Sequence, residues 1–325
     1  MEYTYRLLGT GDLARLHELY KAAFLREKKE SFFAWKYFNN PLGNAIVAGA
    51  FYGDKLAGSG AMVPESMSVF GTEELIYKCT DLMTHPEHQK KGLSKKINEM
   101  LTSETAKIKT PFCYTICSII STRSFLKKNW IFLEKAVNFF KPYPLLKLSG
   151  IFGRHKFENI ISYNSIGDHL LEYAFNNKPD LIQVKKTAAY LKWRTSNPDF
   201  NYKLVCHYNS SKQVTGYLIY SISGNNILNV IDAESSGNDK AVIDKLLAFT
   251  ERIVVKERYK AIVIMTLRNS PFYNYAKSRS YISNPFNRGP LKTMLDFNIF
   301  KYRDGEKDLT DLGRWDIYGL SYDDI

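Results

Sequence analysis

The spacing of apolar residues predicts that the first part of the chain alternates between helices and short strands. Apolar positions between Leu13 and Phe24 recur with helical spacing, which predicts a helix with one buried face. Gly53-Asp54 separates two strand-like runs and is typical of a hairpin turn. The predicted order begins with a strand over residues 3–8, a helix over 13–24 and the aromatic end of a second helix over 32–41. A three-strand meander follows, with strands over 45–52, 56–62 and 65–70.

The most informative stretch runs from Cys79 to Leu101, with the sequence CTDLMTHPEHQKKGLSKKINEML. It begins as a short apolar strand, stops at Pro86 and restarts as a helix after Gly92. The apolar positions of the helix fall at i, i+4, i+7 and i+8, which predicts one buried stripe. That stripe consists of Leu93, Ile97, Met100 and Leu101.

Between this strand and this helix lies the hexamer QKKGLS, residues Gln89–Ser94. Small residues let backbone N–H groups come close to a ligand, and the first turn of the helix carries the positive end of its dipole. The neighbouring lysines add positive charge. The hexamer therefore predicts an anion cradle suited to a pyrophosphate, and the alternative is an ordinary turn with solvated lysines.

The hexamer resembles the Gln/Arg-x-x-Gly-x-Gly/Ala signature of the GNAT acetyltransferase superfamily, with Ser94 in place of the last Gly or Ala. The resemblance covers strand, loop and helix together. It implies acetyl-CoA as the acyl donor, with the pantetheine arm along the strand backbone and the pyrophosphate in the cradle. The residues that it places at the cofactor are Leu82, Met83, Thr84, Gln89, Lys90, Lys91, Gly92, Leu93, Ser94, Lys95, Ser121 and Phe125.

The elements that follow the cradle helix complete the same resemblance. A strand is predicted over residues 111–118, a short helix over 121–128, and a further strand begins at Trp130. Together with the meander, this is the element order of a GNAT domain. The expected fold class is α/β (α+β), with a mixed, mostly antiparallel twisted sheet flanked by helices in each domain.

The second half of the chain repeats features of the first half. The segment Trp35-Lys36 with Asn40-Pro41 returns as Trp193-Arg194 with Asn197-Pro198. The hairpin glycine Gly58 returns as Gly216, at the same offset as the two tryptophans. Shared order and offset favour a tandem duplication, with domains expected at residues 1–148 and 157–325 and a linker around 147–156.

The second copy is expected to have kept the fold and lost the cradle. Residues 235–240, SSGNDK, stand where the first copy has its hexamer, and Glu234 and Asp239 would repel a pyrophosphate. The helix after them keeps an apolar stripe. The resemblance is therefore to tandem GNAT proteins with a degenerate second copy, which here would shape the acceptor site. The tail over 315–323 is similar to a subgroup associated with bacterial surface-polysaccharide loci.

Asp81 is the first candidate for the base that takes the proton of the attacking amine. It lies two residues from both Cys79 and Met83 on an otherwise apolar strand, so strand alternation predicts that it shares their face. An acidic group on a core strand is expected to be paired or used in catalysis. The alternative is a hydrogen bond to a neighbouring loop. Glu65 is a second candidate that would reach in from the preceding strand, and a solvated position at a loop edge is the more ordinary interpretation.

The general acid is the point at which this sequence departs from the family. Phe125 stands where many GNAT enzymes have a tyrosine, and a phenylalanine has no proton to donate. Tyr114, Ser121 or Ser124 could take the role, or the thiolate could leave unaided, and Tyr114 could equally be a packed aromatic. Cys117 has no evident activating neighbour that would make it an acetyl carrier.

Composition narrows the class of protein. The formal charge is +12, and an acidic acceptor, a nucleic acid or an anionic membrane surface would each suit part of it. No nucleic-acid-binding motif accompanies the charge, so a nucleic-acid partner is not expected, whereas peripheral membrane contact stays open. The four cysteines lack zinc spacing, so no metal is expected. A membrane span and a signal peptide are not expected, and the predicted location is the cytoplasm.

Taken together, these features predict an acetyl-CoA-dependent N-acetyltransferase in which a primary amine of a small acceptor attacks the thioester directly. An amino sugar or a surface-polysaccharide precursor is the expected acceptor. Two alternatives stay open within enzymes, a different acyl or aminoacyl donor and an O-acyl acceptor. A third alternative is a pseudo-acetyltransferase that acts as a CoA-binding or interaction module. The sequence does not predict the oligomeric state.

Overall fold

The computed structural model describes residues 2–152, 157–176, 178–268, 271–283, 295–302 and 309–317. The helices are α1 Leu13–Phe24, α2 Glu30–Phe38, α3 Leu93–Lys107, α4 Ile119–Leu126, α5 Tyr143–Phe152, α6 Ala188–Arg194, α7 Lys240–Lys256 and α8 Pro271–Ser278. The strands are β1 Tyr3–Leu7, β2 Ile46–Tyr52, β3 Lys55–Val69, β4 Thr72–Thr84, β5 Phe112–Ser118, β6 Ile131–Lys135, β7 Val137–Pro142, β8 Ile160–Tyr163, β9 Ile182–Val184, β10 Tyr202–Tyr208, β11 Val214–Ile222, β12 Leu228–Ser235, β13 Ala261–Thr266, β14 Ile282–Ser283, β15 Leu295–Lys301 and β16 Trp315–Asp316. Within these ranges, every helix is too short or too polar to cross a lipid bilayer.

The chain divides into two compact units, and neither is a contiguous segment. Unit 1 contains residues 1–134, 196–199 and 295–310, and unit 2 contains residues 135–195, 200–294 and 311–325. The predicted ranges 1–148 and 157–325 differ from this division because two strands are exchanged between the halves of the chain. Strand β7 pairs with β13, and β15 pairs with β5.

The sheet of unit 1 runs through seven strands in the order β1-β2-β3-β4-β5-β15-β6. Its pairs are antiparallel from β1 to β4, and β4 pairs with β5 in parallel. The apolar stripe of α3 covers one face, where Leu93, Ile97 and Leu101 pack against Met62 and Cys79. The predicted stripe of the cradle helix is therefore the core contact of this unit.

The meander has one long strand where the sequence predicts two. Residues 56–62 and 65–70 belong to the single strand β3, which passes through Pro64. Pairing of β3 with β2 extends from Lys55–Tyr52 to Met62–Ile46, so Pro64 follows the last of these pairs. The missing N–H of the proline therefore does not interrupt the ladder with β2. On the other side, Pro64 stays in register with Tyr77 of β4.

Unit 2 has a sheet with the order β8-β10-β11-β12-β13-β7-β14. Its strand β12 is followed by the turn Ser236–Asn238 and by α7, as β4 of unit 1 is followed by a turn and by α3. Helix α7 buries Val242, Leu246 and Leu247 against the sheet. The predicted fold class, two mixed and mostly antiparallel sheets flanked by helices, is confirmed.

Small details recur in the two units. A Cβ atom on Gly58 would lie 3.1 Å from Ile97 of α3, and one on Gly216 would lie 2.5 Å from Val242 of α7, so each glycine lets its helix approach the sheet closely. The carboxamide oxygen of Asn40 accepts a hydrogen bond from the backbone N–H of Leu42, and that of Asn197 accepts one from the backbone N–H of Asp199.

Two predicted segments lie partly outside the described residues. The linker predicted around 147–156 overlaps the end of α5, and its residues 153–156 are not described. Residues 318–323 of the predicted tail motif also lie outside the described part of the chain.

Candidate active site

The turn between β4 and α3 has the backbone that a cradle requires. Gly92 is the N-cap residue of α3 with φ +80°, a left-handed conformation that suits glycine. A Cβ atom added to Gly92 would meet no heavy atom within 4 Å, so the space in front of the turn is open. The N–H groups of Lys95 and Lys96 donate to the carbonyl oxygen of Gly92, so the N–H groups at the very start of the helix, those of Leu93 and Ser94, are the ones that can bind an anion in that space.

A pocket of about 590 Å³ lies at this turn. Seven of the predicted cofactor residues line it, namely Thr84, Gln89, Lys90, Gly92, Leu93, Ser94 and Lys95. Four further lining residues are His88, Ser124, Lys127 and Lys128. Of all these residues, four are lysines and none is a carboxylate, so the pocket attracts polyanions.

Lys128 is the lining residue that sequence reasoning missed most clearly. It follows α4, and its Nζ donates to the carbonyl oxygen and the hydroxyl of Ser94 at 3.1 and 2.8 Å. Burial lowers the pKa of Lys128 from its ordinary value of 10.5. The basic pair Lys127-Lys128 reads as solvated charge in sequence, because only the packing of α4 beside α3 brings it to the cradle.

His88 closes one side of the pocket. Its Nδ1 lies 2.7 Å from the hydroxyl of Tyr3 on β1, and burial lowers its pKa from the ordinary 6.5. A neutral imidazole at neutral pH adds hydrogen bonding without charge. His88 also meets His85 and Glu87, and the three potential metal-ligand atoms lie within 4.8 Å of one another. The sequence argument considered only the cysteines for a metal and did not anticipate this group.

Five predicted cofactor residues do not line the pocket: Leu82, Met83, Lys91, Ser121 and Phe125. Leu82 packs against the apolar cluster under α3, and Met83 is buried. The ring of Phe125 is also buried, with its centroid 4.8 Å from that of Trp130. The hydroxyl of Ser121 lies 3.0 Å from that of Ser118.

Strands β4 and β5 pair over only a short distance in the described part of the chain. Their register is Tyr77 with Cys113 and Lys78 with Tyr114, after which β5 continues along β15 to Ser118. From residue 79 onward, the only partner of β4 among the described residues is β3, so backbone groups on its other edge are available to a ligand. This edge leads to the pocket at Thr84.

The expected face of Asp81 is wrong, because a bulge interrupts the alternation of β4. Asp81 has φ +51°, and the register with β3 shifts between Thr80–Ala61 and Met83–Ser59. One extra residue on β4 reverses the faces of the residues that follow it. Cys79 therefore packs under α3, whereas Asp81 contacts α2 on the opposite face.

The partners of Asp81 lie on α2 rather than on a loop. Its Oδ2 accepts hydrogen bonds from Lys36 Nζ at 2.6 Å and from the Tyr37 hydroxyl at 2.5 Å. The side chains of Lys36 and Asp81 are only 2% and 8% exposed, and Lys36 also donates to Thr80 at 2.9 Å. In the sequence, Lys36 was used only as part of a repeat. Its position in a run of aromatic residues was the signal that could have indicated a buried lysine in need of an acidic partner.

Glu65 is buried within β3, so the expectation of a solvated position at a loop edge is wrong. It accepts a hydrogen bond from the Tyr114 hydroxyl, and its other oxygen lies 3.6 Å from Lys78 Nζ. The ring of Tyr114 is fully buried and meets Phe297 edge-on at 5.9 Å. The structure therefore brings the candidates Glu65 and Tyr114 together as a buried pair with Lys78.

The cysteines near the site are not activated. Burial raises the pKa of Cys117 to about 11 and that of Cys113 to about 12. The polar partners of the Cys117 sulfur are the hydroxyl of Thr122 and the carboxamide of Asn298, both at 3.5 Å. At neutral pH both are thiols rather than thiolates, and a thiol is a weak nucleophile.

Comparisons with known proteins agree with this geometry. Residues 4–126 match the family model described as "Acetyltransferase (GNAT) domain". Among curated proteins, the sequence matches none.

Three solved structures share the fold with low identity. A conserved protein of unknown function from Enterococcus faecalis V583, described as a probable N-acyltransferase, is 13% identical, with a TM-score of 0.67, over 92% of this chain and 72% of that one. A GCN5-related N-acetyltransferase from Anabaena variabilis is 11% identical, with a TM-score of 0.64 and the same two coverages. One from Kribbella flavida is 8% identical, with a TM-score of 0.60, over 92% and 70%.

These likenesses establish the fold, and the match over residues 4–126 supports a general acyl-transfer function. That range contains the turn at Gly92, Asp81 and the splayed edge of β4, which is the edge that is no longer paired with β5 from residue 79 onward. The part of the chain over residues 4–126 is therefore similar to a GNAT acetyltransferase domain.

Proposed function

We propose that this protein transfers an acetyl group from acetyl-CoA to a primary amine of a small acceptor. The observation that carries the proposal is the pocket at Gly92, in which four lysines and no carboxylate surround a helix N-terminus. That combination fits the phosphates of CoA, because backbone N–H groups and ammonium groups both stabilise them. Acetyl-CoA would supply an activated thioester carbonyl.

The donor would be held along two adjoining features of unit 1. The N–H groups that follow Gly92 and the nearby lysines Lys90, Lys95 and Lys128 would bind the pyrophosphate. The unpaired edge of β4 between Leu82 and Thr84 would pair with the amides of the pantetheine arm. This path leads from the cradle toward Asp81 on the same strand.

Asp81 is proposed as the base, acting directly or through one water molecule. Lys36 and Tyr37 both donate to Oδ2 and thereby orient the carboxylate, while Oδ1 can receive the ammonium proton. General-base catalysis of this kind contributes roughly 10²–10⁴ in rate. Since Lys36 and Tyr37 act through Asp81, they are positioning residues.

Glu65 and Tyr114 are proposed to support the site rather than to carry out proton transfer at the thiolate. The Tyr114 proton points to Glu65, and both residues are buried next to Lys78. This pair would fix β3 against β5 below the splayed edge. The thiolate would then leave unaided or with a proton from solvent, which an ordinary thiol pKa of about 8.5 allows.

The second unit is proposed to be a degenerate copy of the first. Seven strands follow corresponding paths in the two sheets, and Gly216 approaches α7 as Gly58 approaches α3. Ser236 and Gly237 stand where the first copy has Lys90 and Lys91, and the carboxylates of Glu234 and Asp239 flank this turn, so a second donor site is not proposed. One donor would bind per chain.

A pseudo-acetyltransferase is the second candidate, and one observation favours it. Phe125 occupies the place of the family tyrosine and is buried against Trp130, so it leaves no acid there. Binding of acetyl-CoA without turnover of any amine would favour that function.

The test is calorimetric titration of the full chain with acetyl-CoA, with Gly92→Glu and Gly92→Gln as a matched pair. Both variants place an L-residue at a positive φ, so they carry the same backbone strain and differ in charge. We expect saturable binding at one site in the unmodified chain, weaker binding in Gly92→Gln, and none in Gly92→Glu. Equal affinity for the two variants would refute the cradle assignment, and a subsequent amine screen would test transfer.

A further inference from the structure

Unit 2 has a pocket of its own, of about 570 Å³, in the place that corresponds to the cradle of unit 1. It lies beside the end of β12, the turn Ser236–Asn238 and the first turn of α7, and residues of α8 also line it. The proposed second copy therefore keeps a cavity where the first copy has its cradle. Nothing in the acetyl-transfer reaction proposed above uses this cavity.

The charge of this pocket excludes the ligand that suits unit 1. Its lining carries two lysines and three carboxylates, a formal charge of −1, whereas four lysines give +4 in the pocket at Gly92. Each of the three carboxylates also has a basic partner. Asp316 pairs with Lys178 at 2.5 Å, Glu234 with Lys186 at 3.0 Å, and Asp244 with Arg279 at 3.4 Å. A polyphosphate would be repelled, and a strongly cationic ligand would find no unpaired carboxylate group.

The remaining polar groups are a mixture of donors and acceptors. Asn274 offers a carboxamide and Lys240 offers an ammonium group, and both side chains are exposed at the pocket. Asp316 is 4% exposed, and its Oδ1 has no hydrogen-bond partner in the described part of the chain. A buried carboxylate oxygen in that state calls for a donor.

Apolar side chains form the rest of the wall. Ile243 of α7 and Phe272 of α8 are buried, and Tyr275 lines the pocket with a half-buried side chain. An aromatic ring in the wall of a polar pocket offers a flat face to a ligand that is apolar on one side.

We propose that this pocket binds a neutral polyhydroxylated ring, such as a hexopyranose. Hydroxyl groups both donate and accept, so one ring can satisfy the oxygen of Asp316, the ammonium group of Lys240 and the carboxamide of Asn274. The C–H face of such a ring packs on Tyr275, and its neutrality fits a pocket whose carboxylates are already paired. This site is separate from the donor site and does not depend on the proposed transfer reaction.

The experiment is saturation-transfer NMR on the full chain with methyl glycosides of glucose, galactose and N-acetylglucosamine. The pocket variants are Tyr275→Leu, which removes the flat face and keeps apolar bulk, and Asn274→Ala, which removes an exposed amide. Leu171→Ala, at an exposed apolar position elsewhere in unit 2, is the control. Acetyl-CoA titration of the same samples tests the donor site independently.

We expect saturation transfer to the ring protons of at least one glycoside, reduced severalfold in both pocket variants and unchanged in Leu171→Ala and Gly92→Glu. Acetyl-CoA affinity should stay the same in the pocket variants, which shows that their donor site in unit 1 is intact, and an unchanged far-ultraviolet circular dichroism spectrum shows that unit 2 is folded. The proposal is overturned if no glycoside gives a signal, if the signal survives both pocket variants, or if CoA displaces the glycoside.

Discussion

Replacing Lys36 by methionine tests whether the buried ion pair between Lys36 of α2 and Asp81 of β4 holds the Asp81 carboxylate in place. The side chain of Lys36 is 2% exposed and that of Asp81 is 8% exposed. The Nζ of Lys36 donates to Asp81 at 2.6 Å and to Thr80 at 2.9 Å. Methionine keeps the length and apolar stem of lysine but leaves the buried carboxylate without its cation. Breaking a buried pair in this way costs about 3–5 kcal/mol of folding free energy.

The measurement is urea unfolding followed by tryptophan fluorescence, which Trp35 next to the substitution reports directly. Lys21→Met on α1 is the control, because Lys21 and Glu27 form an exposed ion pair and their loss should leave the midpoint unchanged. The double variant Lys36→Met with Asp81→Asn removes the charge of both partners, and asparagine tolerates the positive φ at position 81.

We expect the double variant to be more stable than the sum of the two single changes predicts, by about 1–3 kcal/mol. A loss below about 1 kcal/mol for Lys36→Met would mean that the pair is worth no more than a surface ion pair. In that case Lys36 would not be what orients Asp81, and the positioning role would be wrong.

Further predictions concern the site itself. Asp81→Asn should lower kcat by roughly 10²–10⁴ with unchanged acetyl-CoA affinity, and unchanged turnover would remove Asp81 as the base. Lys128→Gln should weaken acetyl-CoA binding about tenfold in calorimetry, whereas Lys107→Gln at the far end of α3 should not. Cys117→Ala should keep wild-type turnover, because the thiol has a pKa of about 11, and a dead variant would point to a covalent route. The lowered pKa of His88 means that the unfolded chain takes up a proton near pH 6.5 while the folded protein does not. The unfolding midpoint should therefore be highest above pH 6.5 and fall as the pH drops below it, by less in His88→Gln; an identical pH dependence in the two proteins would contradict this.

Local sequence patterns determined much of the framework of unit 1. The stripe of Leu93, Ile97 and Leu101 predicted α3 and its buried face, because apolar residues at helical spacing lie on one side of a helix and that side packs against the core. The glycine at position 92 predicted the turn, since a left-handed backbone at a helix start favours that residue. These features depend on neighbours in sequence, so they could be read without the tertiary structure.

Long-range contacts decided what the sequence could not. The faces of β4 depend on one extra residue at Asp81, and register against β3 is set only when the sheet forms. Lys128 joins the cradle only because α4 packs beside α3, and Glu65 is buried only because β3 continues through Pro64.

The division of the chain shows the same distinction most clearly. Repeats of Trp, Asn-Pro and Gly predicted two similar halves, and the two sheets have corresponding strand orders. Which strand completes which sheet is a matter of hydrogen-bonding partners far apart in sequence, and here β7 and β15 are exchanged. Periodicity along the chain specifies that a segment is a strand, but only the folded sheet decides which edge it occupies.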